Sequence, residues 1–112
     1  MANEQSSGRH YEYVKITTIP GADGDWCNPV TVKKSKDVEA LFFSRRGGGV
    51  ATVSIQFKTP EEGAAWTDYL TSEALDDGAR LRLDELGTGV QWRAGVANGD
   101  YTSGDVTVGF DW

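Results

Sequence analysis

The strongest signal along the chain is an alternation of apolar and polar positions with a period of two, clearest at the C-terminal end. In Val90–Val96 the apolar residues are Val90, Trp92, Ala94 and Val96, with Gln91, Arg93 and Gly95 between them. In Asp105–Trp112 they are Val106, Val108, Phe110 and Trp112, separated by Thr107, Gly109 and Asp111. Successive side chains of a strand point to opposite faces, so each run has one apolar and one polar face. The segment between them, Ala97–Gly104, holds Asn98, Gly99, Asp100, Ser103 and Gly104. These residues accept left-handed backbone or bond their own main chain. The pattern predicts a C-terminal hairpin with Trp92 and Trp112 on its buried face, large enough to centre a small core. The rest of the chain then supplies the opposing sheet.

The same period recurs upstream. Tyr11–Thr18 places Val14 and Ile16 on one face and Tyr13 and Lys15 on the other. Trp26–Lys34 reads as an extended run bent at Asn28-Pro29, with Val30 and Val32 on one face, and Ser35–Asp37 as a turn. Val38–Ser44 carries apolar residues on both faces (Val38, Leu41, Phe42, Phe43), as a central or interface-facing strand does. Arg45–Gly49 reads as a flexible tip. Val50–Lys58 is the cleanest single strand, with Ala51, Val53, Ile55 and Phe57 inward, and Ala79–Leu83 turns Ala79, Leu81 and Leu83 inward.

Residues 59–78 admit two readings. Thr59-Pro60-Glu61-Glu62 has the form of a capping box with proline at the first helical position, and Trp66, Tyr69 and Leu70 follow at helical spacing. Gly63, and a preceding strand in need of a partner, favour a hairpin instead. About eight short runs separated by turn signals predict an all-β antiparallel sandwich, jelly-roll-like, with little helix. Residues 1–10 are polar and predict a flexible N-terminal arm ahead of a single domain over 11–112.

Composition narrows the function classes. The chain has 112 residues, 14 of them glycine, and a formal net charge of −6. An acidic chain whose longest basic runs are Arg45-Arg46 and Lys33-Lys34 is a poor candidate for gripping nucleic acid through phosphates. A single cysteine, Cys27, excludes an intramolecular disulfide framework and a multi-cysteine metal site. The start of the chain has no apolar segment of the signal-peptide type, and no run reaches the length of a membrane helix, so synthesis in a cytoplasm and no membrane partner are expected.

Candidate chemistry is sparse. The one histidine, His10, lies in the arm, away from any nucleophile it could activate. The acid pairs Glu61-Glu62, Asp76-Asp77 and Asp84-Glu85 flank turns rather than apolar pockets, where a raised pKa would arise. Asp23-Gly24-Asp25 and Asn98-Gly99-Asp100 offer oxygen ligands without the spacing and distal glutamate of a calcium loop. Gly47-Gly48-Gly49 lacks the lysine and hydroxyl of a phosphate loop. No enzyme and no cofactor are therefore expected. The aromatic residues remain: Tyr11 and Tyr13 suit an interface, and Trp26 suits a sugar platform.

The strand and turn Val50–Trp66, the run Trp-Arg-Ala-Gly-Val at 92–96 and the loop Gly-Asp-Tyr-Thr-Ser-Gly at 99–104 together resemble small proteins of tailed bacteriophages. The chain departs from that pattern at Pro60-Glu61-Glu62-Gly63, where a turn of Asp-Gly-Gly type is usual. Size, acidity and the all-β reading are similar to the decoration, cement or staple proteins of phage capsids. The resemblance implies a jelly-roll-like virion protein, oligomeric with a dimer favoured, held on the capsid surface by contacts with the major capsid protein. It also favours the hairpin over the helix at residues 59–70. On that reading Arg9, His10, Tyr11, Tyr13, Phe43, Arg45 and Arg46 are the candidate partner-facing residues. The alternative expectation is a carbohydrate-binding β-sandwich, for example of a tail fibre.

Overall fold

The computed structural model describes residues 10–32, 40–72, 80–83 and 87–112. Residues 1–9 of the arm, Arg9 among them, the Ser35–Asp37 turn, Val38, and the acid pairs at 76–77 and 84–85 lie outside the described residues.

Among the described residues alternation becomes eleven strand segments: β1 (Tyr11–Ile16), β2 (Asp25–Trp26), β3 (Val30–Thr31), β4 (Leu41–Arg46), β5 (Val50–Ala51), β6 (Val53–Lys58), β7 (Thr67–Ser72), β8 (Arg80–Leu83), β9 (Gln91–Val96), β10 (Tyr101–Ser103) and β11 (Val106–Asp111). That is more than the eight runs the sequence suggests, because two runs are interrupted and β10 forms inside Ala97–Gly104, the segment read as a turn. β2 and β3 both pair with β9, β5 leads into β6 across Thr52, and β10 leads into β11 across Gly104-Asp105. One sheet has the order β1-β11-β4-β8; the other runs from β2 and β3 through β9 and β6 to β7. All pairings are antiparallel. Counting each interrupted run once, and β10 together with β11, gives the orders 1-8-3-6 and 2-7-4-5, the two-sheet connectivity of a jelly roll.

This connectivity corrects the C-terminal hairpin. β9 belongs to the second sheet and β11 to the first, so Val90–Val96 and Asp105–Trp112 do not pair. The chain between them climbs from one sheet to the other. β4 and β6 stand in the same relation, and the two crossings pair with each other as the short β5–β10 ribbon. The sequence pattern is the same for a hairpin and for two strands facing across a core, because both need one apolar face.

Among the described residues, β6 and β7 are the long strands that follow one another and pair as a hairpin. Its turn uses Gly63 at φ +79°, and Ala64 donates to the Glu61 carbonyl at 3.1 Å. This segment is a hairpin and not a helix. Its register slips once: Ile55 faces Leu70 but Gln56 faces Asp68, leaving Tyr69 as an extra residue. Such a bulge re-aims a side chain, and here Tyr69 meets Trp92 edge to face at 5.2 Å.

The core is one cluster filled from both sheets. The first contributes Ile16, Leu41, Phe43, Val106, Val108 and Phe110; the second contributes Val30, Val53, Ile55, Trp92, Ala94 and Val96. Phe43 and Phe110 are register partners and meet edge to face at 6.2 Å, a favoured geometry for two rings. Trp92, 3% exposed, packs on Phe57 at 5.6 Å. Trp112 is only half-buried and sits at the sandwich margin. Truncating Trp92 to alanine is therefore expected to cost about 3–5 kcal/mol of stability. Urea unfolding followed by circular dichroism checks this, and an unshifted midpoint would take Trp92 out of the core.

Candidate functional site

With the inner faces spent on the core, the broad surfaces among the described residues are the two outer faces. On the first sheet, the register aligns Tyr11, Asp111, Phe42 and Arg82 in one row, and Tyr13, Gly109, Ser44 and Arg80 in the next. Lys15, Thr107 and Arg46 form a third. Gly109 is what lets Tyr13 lie low across β11, since a Cβ there would collide with the Glu12 carbonyl and the Tyr13 ring. Tyr11 and Tyr13 stack at 6.0 Å, and the Arg46 guanidinium covers Tyr13 at 5.0 Å. Arg80 and Arg82 both lie over Phe42, at 4.9 and 5.5 Å. Arg80 also donates to Ser44 Oγ at 2.9 Å and bridges the buried Asp111 carboxylate at 3.1 Å. A cation over an aromatic face contributes about 0.5–2 kcal/mol, more as it is desolvated. These contacts hold the guanidinium planes in place before any partner arrives.

The structure thus brings three predicted residues, Tyr11, Tyr13 and Arg46, onto one surface. His10 borders it. It exchanges backbone hydrogen bonds with Trp112, both 2.9 Å, and stacks on the Trp112 ring at 5.5 Å. It extends the β1–β11 ladder and so belongs to the sheet, not to a loose arm. Two predicted residues are corrected. Phe43 is fully buried against Phe110 and offers nothing to a partner. Arg45, 3% exposed, shares the inner face with Leu41 and Phe43 and donates to the carbonyls of Gly49 at 2.8 Å and Ala51 at 3.2 Å. The supposed flexible tip is tied down by those bonds and by Gly49 donating to the Asp105 carbonyl at 2.9 Å. A groove of about 310 Å3 opens beside it, lined by Arg45, Val50, Thr52, Asp100 and Thr102 among others.

Phe42, Arg80 and Arg82 were not among the expected interface residues. Extending the alternation from Leu41 and Phe43 puts Arg45 inside and Phe42, Ser44 and Arg46 outside, so part of the signal was present in the pattern. That β8 lies beside β4 was not, because residues 47–79 separate them in sequence.

The second sheet has its own array. The Arg93 guanidinium is sandwiched between Trp26 and Trp66, 4.1 and 4.3 Å from their ring centres. Its Nε and one terminal nitrogen donate to Gln56 Oε1 at 2.9 and 2.7 Å, and Gln56 Nε2 donates to Asp68 Oδ1 at 2.8 Å. Burial between the indoles pushes the Arg93 pKa below the usual arginine value. Gly95 plays the part of Gly109: a Cβ there would strike the Asp25 carbonyl and Trp26. Trp26, the expected sugar platform, is half-buried, with one ring face occupied by Arg93 and its Nε1 donating to the Asp23 carbonyl at 2.7 Å.

The loops offered as calcium ligands are packed together: Asn98 Nδ2 donates to the Gly21 carbonyl at 3.1 Å. Among the described residues no three of His, Cys, Asp and Glu converge as a metal site. No protein-family model, curated protein or solved structure matches this chain.

Cys27 is buried on the core side of the second sheet's edge, where Sγ accepts from the Ala94 N–H at 3.3 Å. Loss of solvation raises its pKa from 9.0 to about 11. A thiol reagent at pH 8 should leave the folded protein unlabelled and modify one cysteine on unfolding. Because the folded pKa is the higher one, this group's contribution to stability is constant below about pH 9 and is lost as pH rises towards 11. Rapid labelling of the native state at pH 8 would show the thiol to be exposed.

Proposed function

We propose that this chain is a non-enzymatic structural protein of a tailed-bacteriophage virion, made in the host cytoplasm and held on the capsid surface by the outer face of its first sheet. The observation that carries the reading is the pre-stacked array of Tyr11, Tyr13, Phe42, Arg46, Arg80 and Arg82. Aromatic residues and arginine are enriched in protein interfaces. Tyr11 is 66% exposed, far more than an unpartnered core aromatic would be. The likeness of Val50–Trp66, 92–96 and 99–104 to small phage proteins supplies the partner, the major capsid protein. Copies repeated over a shell act together, so a modest single contact suffices.

The homodimer expected from the two-sided strand loses its main support, because Phe43 faces the core and Phe42 lies beneath two arginines. A carbohydrate-binding module remains the second reading, favoured by the two half-buried indoles on the other sheet. Arg93 occupies the sides that face each other, which leaves less ring for a sugar to stack on.

Mass-spectrometric inventory of purified virions should contain the chain, and the isolated protein should co-sediment with undecorated capsids. The double variant Tyr13→Ala/Arg46→Glu should weaken that attachment at least tenfold while leaving the circular dichroism spectrum intact. A chain missing from virions sinks the reading. Attachment at full strength by the double variant moves the contact elsewhere on the sandwich.

A further inference from the structure

Asn98-Gly99 is the one Asn-Gly pair in the chain. It forms the tip of the turn between β9 and β10, closed by the Asp100 N–H donating to the Ala97 carbonyl at 3.1 Å. Both residues are exposed, Gly99 has φ +89°, and a Cβ built on it would meet nothing within 4 Å. Among the described residues no hydrogen bond engages the Gly99 N–H. The Asn98 side chain meanwhile holds another part of the chain. Residues 17–24 cross from β1 in the first sheet to β2 in the second. Asn98 Nδ2 donates to the Gly21 and Pro20 carbonyls of that crossing, at 3.1 and 3.4 Å. The Tyr101 hydroxyl also reaches the Thr17 carbonyl, at 3.1 Å, but lies closer to that of Gly104, at 2.7 Å. From the open turn and the tether it carries we infer that Asn98 is a site of spontaneous deamidation, and that the reaction frees the crossing at residues 17–24. Nothing in this step depends on the attachment surface.

The chemistry requires water and no other reagent. The Gly99 backbone nitrogen attacks Cγ of Asn98. A C–N bond forms and closes a succinimide ring, the Cγ–Nδ2 bond breaks, and ammonia leaves with the proton that the backbone nitrogen gives up. Water then opens the ring at either carbonyl, leaving aspartate or isoaspartate with no change of oxidation state. Glycine favours the attack because no side chain screens its nitrogen and its backbone adapts to the ring. Other positions lack this opening. Asn28 precedes Pro29, which has no N–H to give up. Asp23-Gly24 is enclosed: a Cβ on Gly24 would lie 2.8 Å from Trp26 Nε1, which donates to the Asp23 carbonyl at 2.7 Å. The product reverses the polarity of the tether. An ionised carboxylate is acceptor-only, so it would face the Gly21 and Pro20 carbonyls with no proton to offer, and both bonds are lost. Isoaspartate also routes the main chain through the former side-chain methylene, which lengthens the turn.

The test is prolonged incubation of the full chain in mildly alkaline buffer, read by peptide mapping with mass spectrometry and by amide hydrogen exchange. The mass gain of amide-to-acid conversion should accumulate first in the peptide holding Asn98, part of it as isoaspartate. Asn98→Gln, whose ring closure is slower, should reduce conversion at this position at least tenfold with the circular dichroism spectrum unchanged. The Gly24 amide, which donates to the Gly21 carbonyl at 3.0 Å, reports on the crossing. Its exchange should quicken several-fold in the aged chain and in Asn98→Asp, while amides of β6 and β11 keep their protection. An aged chain with no conversion at Asn98, conversion that maps first to another residue, or Gly24 exchange unchanged in the converted chain would each overturn the inference.

Discussion

The structure depends on one constraint: the chain must leave one sheet and enter the other without abandoning its backbone hydrogen bonds. A two-layer sandwich buries the inner faces of both sheets, so a crossing segment passes the open end of the core with its carbonyls out of either ladder. Two devices meet the demand here. The crossings from β4 to β6 and from β9 to β11 pair with each other as the β5–β10 ribbon. Arg45 then turns its guanidinium inward and donates to the carbonyls of Gly49 and Ala51. A buried charge is costly unless it is hydrogen-bonded, and at the end of the sandwich the two terminal nitrogens of Arg45 meet the crossing carbonyls.

The two outer faces are built on a common plan. In each sheet the strand next to an edge carries a glycine, Gly109 or Gly95, where a Cβ would strike the edge strand's backbone and an aromatic residue on it. Tyr13 and Trp26 lie across those glycines, and each carries an arginine on its ring, Arg46 or Arg93. The difference lies in what the arginines meet. Arg93 is enclosed by a second indole and by Gln56, so it clasps its own sheet together. Arg46 and Arg82 remain exposed at the surface, which suits contact with another molecule.

The two layers differ in what holds them together. Stability resides in the inner layer, where aromatic and branched side chains interlock. The proposed attachment surface is an outer layer whose side chains are already ordered by contacts with one another. A surface organised before binding loses less entropy on association than one that must be ordered then.

Much of the fold could be read from periodicity alone. Alternation in 53–58, 91–96 and 106–111 identified the strands and their buried faces, because a strand with one wet face has no other economical pattern. The identity of Trp92, Val108 and Phe110 as core residues, and of Tyr11 and Tyr13 as outward-facing, came from the same source. Pairing did not. A hairpin and a pair of strands facing across a core share one local pattern, and only packing in three dimensions put β9 and β11 in different sheets. The fate of the neighbouring Arg45 and Arg46 shows the same limit. Composition made them one basic run, whereas the strand's twofold period continued through Arg45 into the crossing and sent one guanidinium inward and the other out. The clustering of Phe42 with Arg80 and Arg82, and of Arg93 with Trp26 and Trp66, joins residues far apart in sequence. Tertiary structure alone brings them together, because it depends on which strands become neighbours.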